Sequence, residues 1–274
     1  MKDSLFKRSA VHNLRVTKCR TEFSSGEVSE GLLIPKSILD KADILPWEQI
    51  IVTKIDGGNW INRLTTFAIA GKEDGVVEAR GSLASFLNEG DLTCLITRMT
   101  LPDDNLIRFN QNEIPIFDLG FDPESNMDNL IDSRLDIEYG TKKEIDVKES
   151  EQLIEKRNSV SRFFLQSLIL SLVVNKTHPN CLQGSAELPD KIMREGLVNK
   201  YQCVSVYNAS KGGIADTYAV PMPAGVVMTT GAMAGFAPIG DKVNIAAYSI
   251  YSRPNTFPKI VLTDGKDFQG TITF

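Results

Sequence analysis

The stretch Gly81-Ser82-Leu83-Ala84-Ser85-Phe86-Leu87-Asn88-Glu89-Gly90-Asp91 has a partner further along the chain, Gly231-Ala232-Met233-Ala234-Gly235-Phe236-Ala237-Pro238-Ile239-Gly240-Asp241. Glycine, alanine, phenylalanine and a closing Gly-Asp recur at one spacing, position 81 meeting position 231. Thr66-Phe67-Ala68-Ile69 meets Thr217-Tyr218-Ala219-Val220 at nearly the same offset, and Glu30-Gly31-Leu32 meets Gln183-Gly184-Ser185. Self-similarity at a fixed period means that one supersecondary plan is used more than once. Here it predicts two tandem copies, residues 1–121 and 159–274, separated by a charge-rich linker over 122–158 that has room for one amphipathic helix.

Each copy carries short β-branched segments between Gly, Asp and Pro turns. Leu14-Arg15-Val16-Thr17, Ile50-Ile51-Val52-Thr53 and Leu92-Thr93-Cys94-Leu95-Ile96 read as strands in the first copy; Val204-Ser205-Val206-Tyr207 and Val243-Asn244-Ile245-Ala246 do so in the second. Gly90-Asp91 and Gly240-Asp241 are turn signals just before strands, because glycine and aspartate both tolerate the backbone that a tight turn needs. Short strands at regular spacing predict a mainly β protein of two small β-barrels, with a helical turn near Ser37 to Lys41. The most apolar run, Phe163 to Val174, reads as a buried strand or helix, since it is too short to span a bilayer and contains Gln166, Ser167 and Ser171.

Composition narrows the function. A net charge of −5 with no Lys/Arg run argues against nucleic-acid and anionic-membrane partners. Cys19, Cys94, Cys181 and Cys203 form no CxxC pair and read as free thiols of a reducing, cytoplasmic compartment. With only His12 and His178 available, no metal site is expected. The first residues, Met1-Lys2-Asp3-Ser4, have no apolar run, so no signal peptide is expected.

One bond in the second copy invites chemistry. In Gly184-Ser185 the hydroxyl could attack the preceding carbonyl; an N-to-O acyl shift followed by elimination and loss of ammonia would turn Ser185 into a pyruvoyl group, an electron sink toward amines. Glycine before the serine suits a turn held at backbone angles that other residues cannot reach.

These residues resemble the pyruvoyl-dependent aspartate 1-decarboxylase family. A Gly-Ser step, a Thr-Tyr pair on a strand, Gly-Ala-x-Ala and Gly-Asp before a last strand recur in the second copy. Val11-His12, Val16-Thr17, Ala42-Asp43-Ile44-Leu45, Asn62-Arg63-Leu64-Thr65-Thr66-Phe67-Ala68-Ile69 and the tail Met99-Thr100-Leu101-Pro102-Asp103 are similar in the first. The resemblance implies two tandem double-psi β-barrels and an amino-acid decarboxylase, for aspartate or a related small amino acid. Its cofactor would be a pyruvoyl group derived from Ser185 after cleavage at Gly184-Ser185. It further implies Thr217 as support for cleavage, Tyr218 as proton donor, Gly231 and Ala232 in the substrate-contacting loop, and Arg63 and His12 as substrate-binding groups. The copies divide these residues. Leu32 follows Gly31 where the first copy would need its serine, while Ile214 stands where the second would need the arginine that the first keeps as Arg63. The site is therefore expected between copies, and a homodimer would rebuild the family's four-barrel ring, with or without a maturation factor. Ala10 stands at the family's lysine and Thr230 at its asparagine before Gly-Ala, so the substrate need not be aspartate. Two other readings stay open from the residues: an N-terminal-nucleophile hydrolase with Ser185 free, and an unprocessed barrel that binds a ligand or partner.

Overall fold

The computed structural model describes residues 3–24, 27–56, 59–102, 116–118, 135–138, 141–144, 161–181, 184–251 and 258–272. The first unit runs β1 (Asp3–Arg15), β2 (Lys18–Arg20), β3 (Gly31–Pro35), α1 (Lys36–Lys41), β4 (Gln49–Asp56), β5 (Asn59–Gly71), β6 (Glu78–Arg80), β7 (Leu92–Pro102) and β8 (Ile116–Asp118). Two short strands follow, β9 (Leu135–Glu138) and β10 (Thr141–Glu144), which among the described residues pair with each other. They fall within the expected linker, the rest of which, including its anticipated helix, lies outside the described residues. The second unit runs β11 (Ser161–Val173), β12 (Lys176–His178), β13 (Ser185–Pro189), α2 (Asp190–Glu195), β14 (Cys203–Asn208), β15 (Ile214–Met222), β16 (Met228–Thr230), α3 (Ala232–Phe236), β17 (Lys242–Tyr251), β18 (Lys259–Thr263) and β19 (Phe268–Ile272). The apolar run from Phe163 is thus strand β11.

Pairing is the same in both units. β1 lies antiparallel to β7, and β4 antiparallel to β5 and β7. β3 runs parallel to β5 and antiparallel to β6, and β2 parallel to β6. In the second unit β11, β12, β13, β14, β15, β16 and β17 repeat these contacts in order. These parallel crossings inside antiparallel sheets make two double-psi β-barrels. The backbone agrees down to single residues in the left-handed region: Asp43 (φ 51) and Leu197 (φ 55) end α1 and α2, and Trp47 (φ 67) matches Tyr201 (φ 64) before the next strand. Side chains rarely adopt this conformation, so its recurrence reflects one tertiary plan.

Alternation builds each barrel core. In β3 and β13 the burial pattern is identical, with Leu32 and Ile34, and Ala186 and Leu188, turned inward. Ile38 and Leu39 of α1, and Ile192 and Met193 of α2, close the ends. A third cluster joins the barrels: Phe67 packs with Leu165, Leu168, Tyr207, Ala246 and Ile260. This explains why β14 is buried on both faces from Val204 to Asn208. Phe86 and Phe236, the phenylalanines of the repeated stretch, are partly buried and pack against the two barrel cores. The seam also holds a buried ion cluster, in which Arg162 reaches Asp43 at 2.9 Å and the fully buried Glu48 at 3.6 Å.

Candidate active site

Ser185 opens β13. Parallel pairing with β15 sets it beside Tyr218, and antiparallel pairing with β16 sets it beside Thr230. Tyr218 in turn faces Cys203 on β14, so Thr230, Ser185, Tyr218 and Cys203 form one row across four strands. Ser185 is buried, 8% exposed, whereas Tyr218 is 56% exposed. The row lies on the face of the sheet opposite the core residues Ala186 and Ala219, and it runs from a buried end at Thr230 to an exposed end at Tyr218 and Cys203.

Hydrogen bonds fix the Gly184-Ser185 step. The Thr217 hydroxyl donates to the Gly184 carbonyl at 2.8 Å. The Ser185 amide donates to Thr230 Oγ1 at 3.1 Å, and the two hydroxyl oxygens lie 2.8 Å apart. The Ser185 hydroxyl also donates to Glu187 Oε1 at 3.3 Å. A scissile carbonyl polarised by one hydroxyl, followed by a hydroxyl with a carboxylate in reach, is an arrangement able to move an acyl group from nitrogen to oxygen. Residues 182–183, just before this step, lie outside the described residues.

Gly184 does not have the turn geometry expected of it, since its φ is not positive. A Cβ there would meet Met233 and the Ala232 amide nitrogen at 3.5–3.6 Å, ordinary van der Waals contact. The glycine that the backbone does require is Gly231, at φ 52 between β16 and α3, whose amide donates to the His178 carbonyl at 3.0 Å. That turn brings the start of α3, at Ala232, against Gly184.

The first barrel has no hydroxyl at this position, and its register differs from the sequence expectation by one residue. Leu32 pairs with Ala68 as Ala186 pairs with Ala219, and Gly31 pairs with Arg80 as Ser185 pairs with Thr230. Gly31 therefore takes the place of Ser185, Glu30 that of Gly184, and Leu33 that of Glu187. Sequence spacing was misleading because the loops before β3 and β13 differ in length. Glu30 is 1% exposed; it accepts from the Ser82 amide at 2.9 Å, the Ser82 hydroxyl at 3.2 Å and Asn244 Nδ2 of the second barrel at 2.7 Å. Burial pushes its carboxyl up to about 7 against the pull of those three donors.

Arg63 lies exposed on β5, at the seam rather than in the Ser185 row. Nearby Arg98 of β7 donates to Gln49 at 2.9 Å, and its guanidinium lies over the Phe163 ring at 5.9 Å. Burial first, then the like charge of Arg63, pull Arg98 below its ordinary value, while Asp216 and Cys203 oppose this. Asp216 is held by Ser205 at 2.6 Å and by Thr65 of the first barrel at 3.2 Å. Burial and Asp216 push the Cys203 thiol up. Two arginines thus reach the seam on the side where Cys203 ends the row. His12 sits partly buried on β1, opposite Asp118 of β8, in the wall of the first barrel. Two groups escaped the sequence reading: Glu187, whose signal was its i+2 spacing from Ser185 on a strand, and Arg98, which has no local signal. Among the described residues no group of His, Cys, Asp or Glu could hold a metal, and no helix is long and apolar enough to cross a membrane.

Paired double-psi barrels, one of which buries a Gly-Ser step against a threonine hydroxyl, define the class of this molecule. The model of the aspartate decarboxylase family matches residues 1–118 and 160–269, and the chain belongs to that family. Similar proteins include the aspartate 1-decarboxylase of Clostridium botulinum strain Loch Maree / Type A3, 30% identical over 104 residues that cover 38% of this chain and 76% of that protein. The aspartate 1-decarboxylase of strain 657 / Type Ba4 is 31% identical over 104 residues, with the same shares covered.

Proposed function

We propose that this chain is a pyruvoyl-dependent decarboxylase of aspartate or a related small amino acid, formed by self-cleavage between Gly184 and Ser185. The observation that carries the reading is the Thr217 hydroxyl on the Gly184 carbonyl at 2.8 Å, immediately before a buried serine. That hydroxyl stabilises the charge which develops on the carbonyl oxygen as Ser185 attacks. The residues fit the group that would follow: position 185 is enclosed by Thr230 and Glu187 but adjoins exposed Tyr218. Once formed, a pyruvoyl group supplies an electron sink for the α-carbon of a bound amine.

Other residues bind, orient and protonate. Tyr218, in register with residue 185, holds a phenol where a proton can be returned to the substrate carbon. Ala232, at the turn held by Gly231, lines the side of position 184 and orients the substrate. Arg63, with Arg98 beside it, grips a substrate carboxylate from the seam, a guanidinium being suited to bidentate contact. The active site therefore lies between two copies of one duplicated unit, residues 1–121 and 159–274. Support for duplication comes from the repeated strand order, pairing and left-handed positions. A pair of chains would supply the four barrels of a ring.

The test is the intact mass of the purified protein under denaturing conditions. The expected result is two fragments divided after Gly184, the second lighter by one ammonia than a fragment that begins with serine, together with CO₂ release from an amino acid. Cleavage without loss of ammonia would instead indicate a free Ser185 nucleophile. A chain that stays whole, even with cell extract added, overturns the proposal.

A further inference from the structure

Resting on the reading of Ser185 as the cleavage point, we propose that Glu187 is the general base of the acyl shift, taking the Ser185 hydroxyl proton and returning it to the Ser185 nitrogen. Three observations carry this. Glu187 Oε1 lies 3.3 Å from Ser185 Oγ, within reach for proton transfer. Among the described residues the other group that meets that hydroxyl is Thr230, a neutral hydroxyl that is a far weaker base than a carboxylate. The carboxylate and the serine also occur together: where the first barrel has Gly31 for the serine, it has Leu33 for the acid, by the strand register.

The spacing has a simple cause. Residues i and i+2 of a strand point to one face, so β13 itself aims Glu187 at the hydroxyl, with Val220 and Met228 as its cross-strand neighbours. The step balances within the chain. The O–H bond of Ser185 breaks and its proton passes to Glu187 as Oγ bonds to the Gly184 carbonyl carbon. Thr217 donates to the carbonyl oxygen while it carries charge. The Gly184–Ser185 C–N bond then breaks, its electron pair stays on nitrogen, and that nitrogen takes the proton from Glu187. The product is an ester isomeric with the starting chain, and Glu187 is again a carboxylate.

The experiment follows the loss of uncut full-length chain by intact mass, for the wild type, Glu187→Gln, Glu187→Asp and Glu187→Leu, with and without hydroxylamine. Glutamine keeps the shape and leucine is what the first barrel carries there, and the folding of each is compared by melting temperature with the uncut Ser185→Ala chain. Loss of a general base predicts cleavage slowed by about 100-fold or more in both, with part of the rate kept by aspartate. Hydroxylamine, which attacks esters, should not restore the rate, because the ester is what fails to form. If Glu187→Gln cleaves like the wild type, or if hydroxylamine brings it to the wild-type rate, Glu187 is not the base. If the wild type itself never cleaves, the self-cleavage reading falls and takes this proposal with it.

Discussion

Glu30 gives the first barrel a stability that depends on pH in an unusual direction. Its carboxyl titrates at 4.5 when free and at about 7 in the fold. Between these values the folded state holds a proton that the unfolded state has lost, so stability falls as pH rises. The contribution is fully present below pH 4.5 and lost once pH passes about 7. At 1.36 kcal/mol per pH unit, the span corresponds to about 3 kcal/mol. No discount for solvent screening applies, because the side chain is 1% exposed. Glu30→Gln removes the titration but replaces one of the two acceptor oxygens by an NH2 donor, so the Ser82 amide or Asn244 Nδ2 loses its acceptor, which costs about 1–3 kcal/mol at every pH. The variant should therefore be the less stable form at pH 5 and should draw level with or overtake the parent at pH 8. The assay is urea unfolding across that range in a Ser185→Ala background, which keeps the chain whole. The measured quantity is the difference between the two stability curves, in which the other titrating groups cancel. Curves that stay parallel from pH 5 to pH 8 would show that Glu30 is not held protonated by burial.

Arg162→Ala should destabilise the fold by about 3–5 kcal/mol, because Glu48 is left as a buried charge without its cation; chemical denaturation measures this. Gly31→Ser should not create a second cleavage site. Its φ of 108 and a 2.8 Å approach of the new Cβ to Phe67 should instead cost about 1–3 kcal/mol, read as a lowered melting temperature with the chain uncut between Glu30 and residue 31. Tyr218→Phe should leave cleavage at Gly184-Ser185 intact while lowering kcat for decarboxylation by about 100-fold, and equal loss of both activities would remove Tyr218 from the proton-return step.

Much of this architecture could be read from the chain itself. The internal offset, the Gly-Asp turns, the β-branched runs and the helical turn after residue 36 are local patterns, and local patterns follow from backbone sterics and side-chain alternation. The Gly184-Ser185 and Thr217-Tyr218 pairs were legible for the same reason, each being two adjacent residues. What adjacency cannot encode is register. That Gly31 rather than Leu32 stands in the place of Ser185 was set by pairing with Arg80 and Ala68, because loops of different length precede the two strands. Tertiary structure also decided that Thr217 donates to the Gly184 carbonyl, that Asn244 of one barrel holds Glu30 of the other, and that Arg98 joins Arg63 and Asp216 at the seam. Those contacts join residues 33 or more positions apart in sequence, and their geometry exists only once the strands have paired and the barrels have buried their common apolar face around Tyr207 and Phe67.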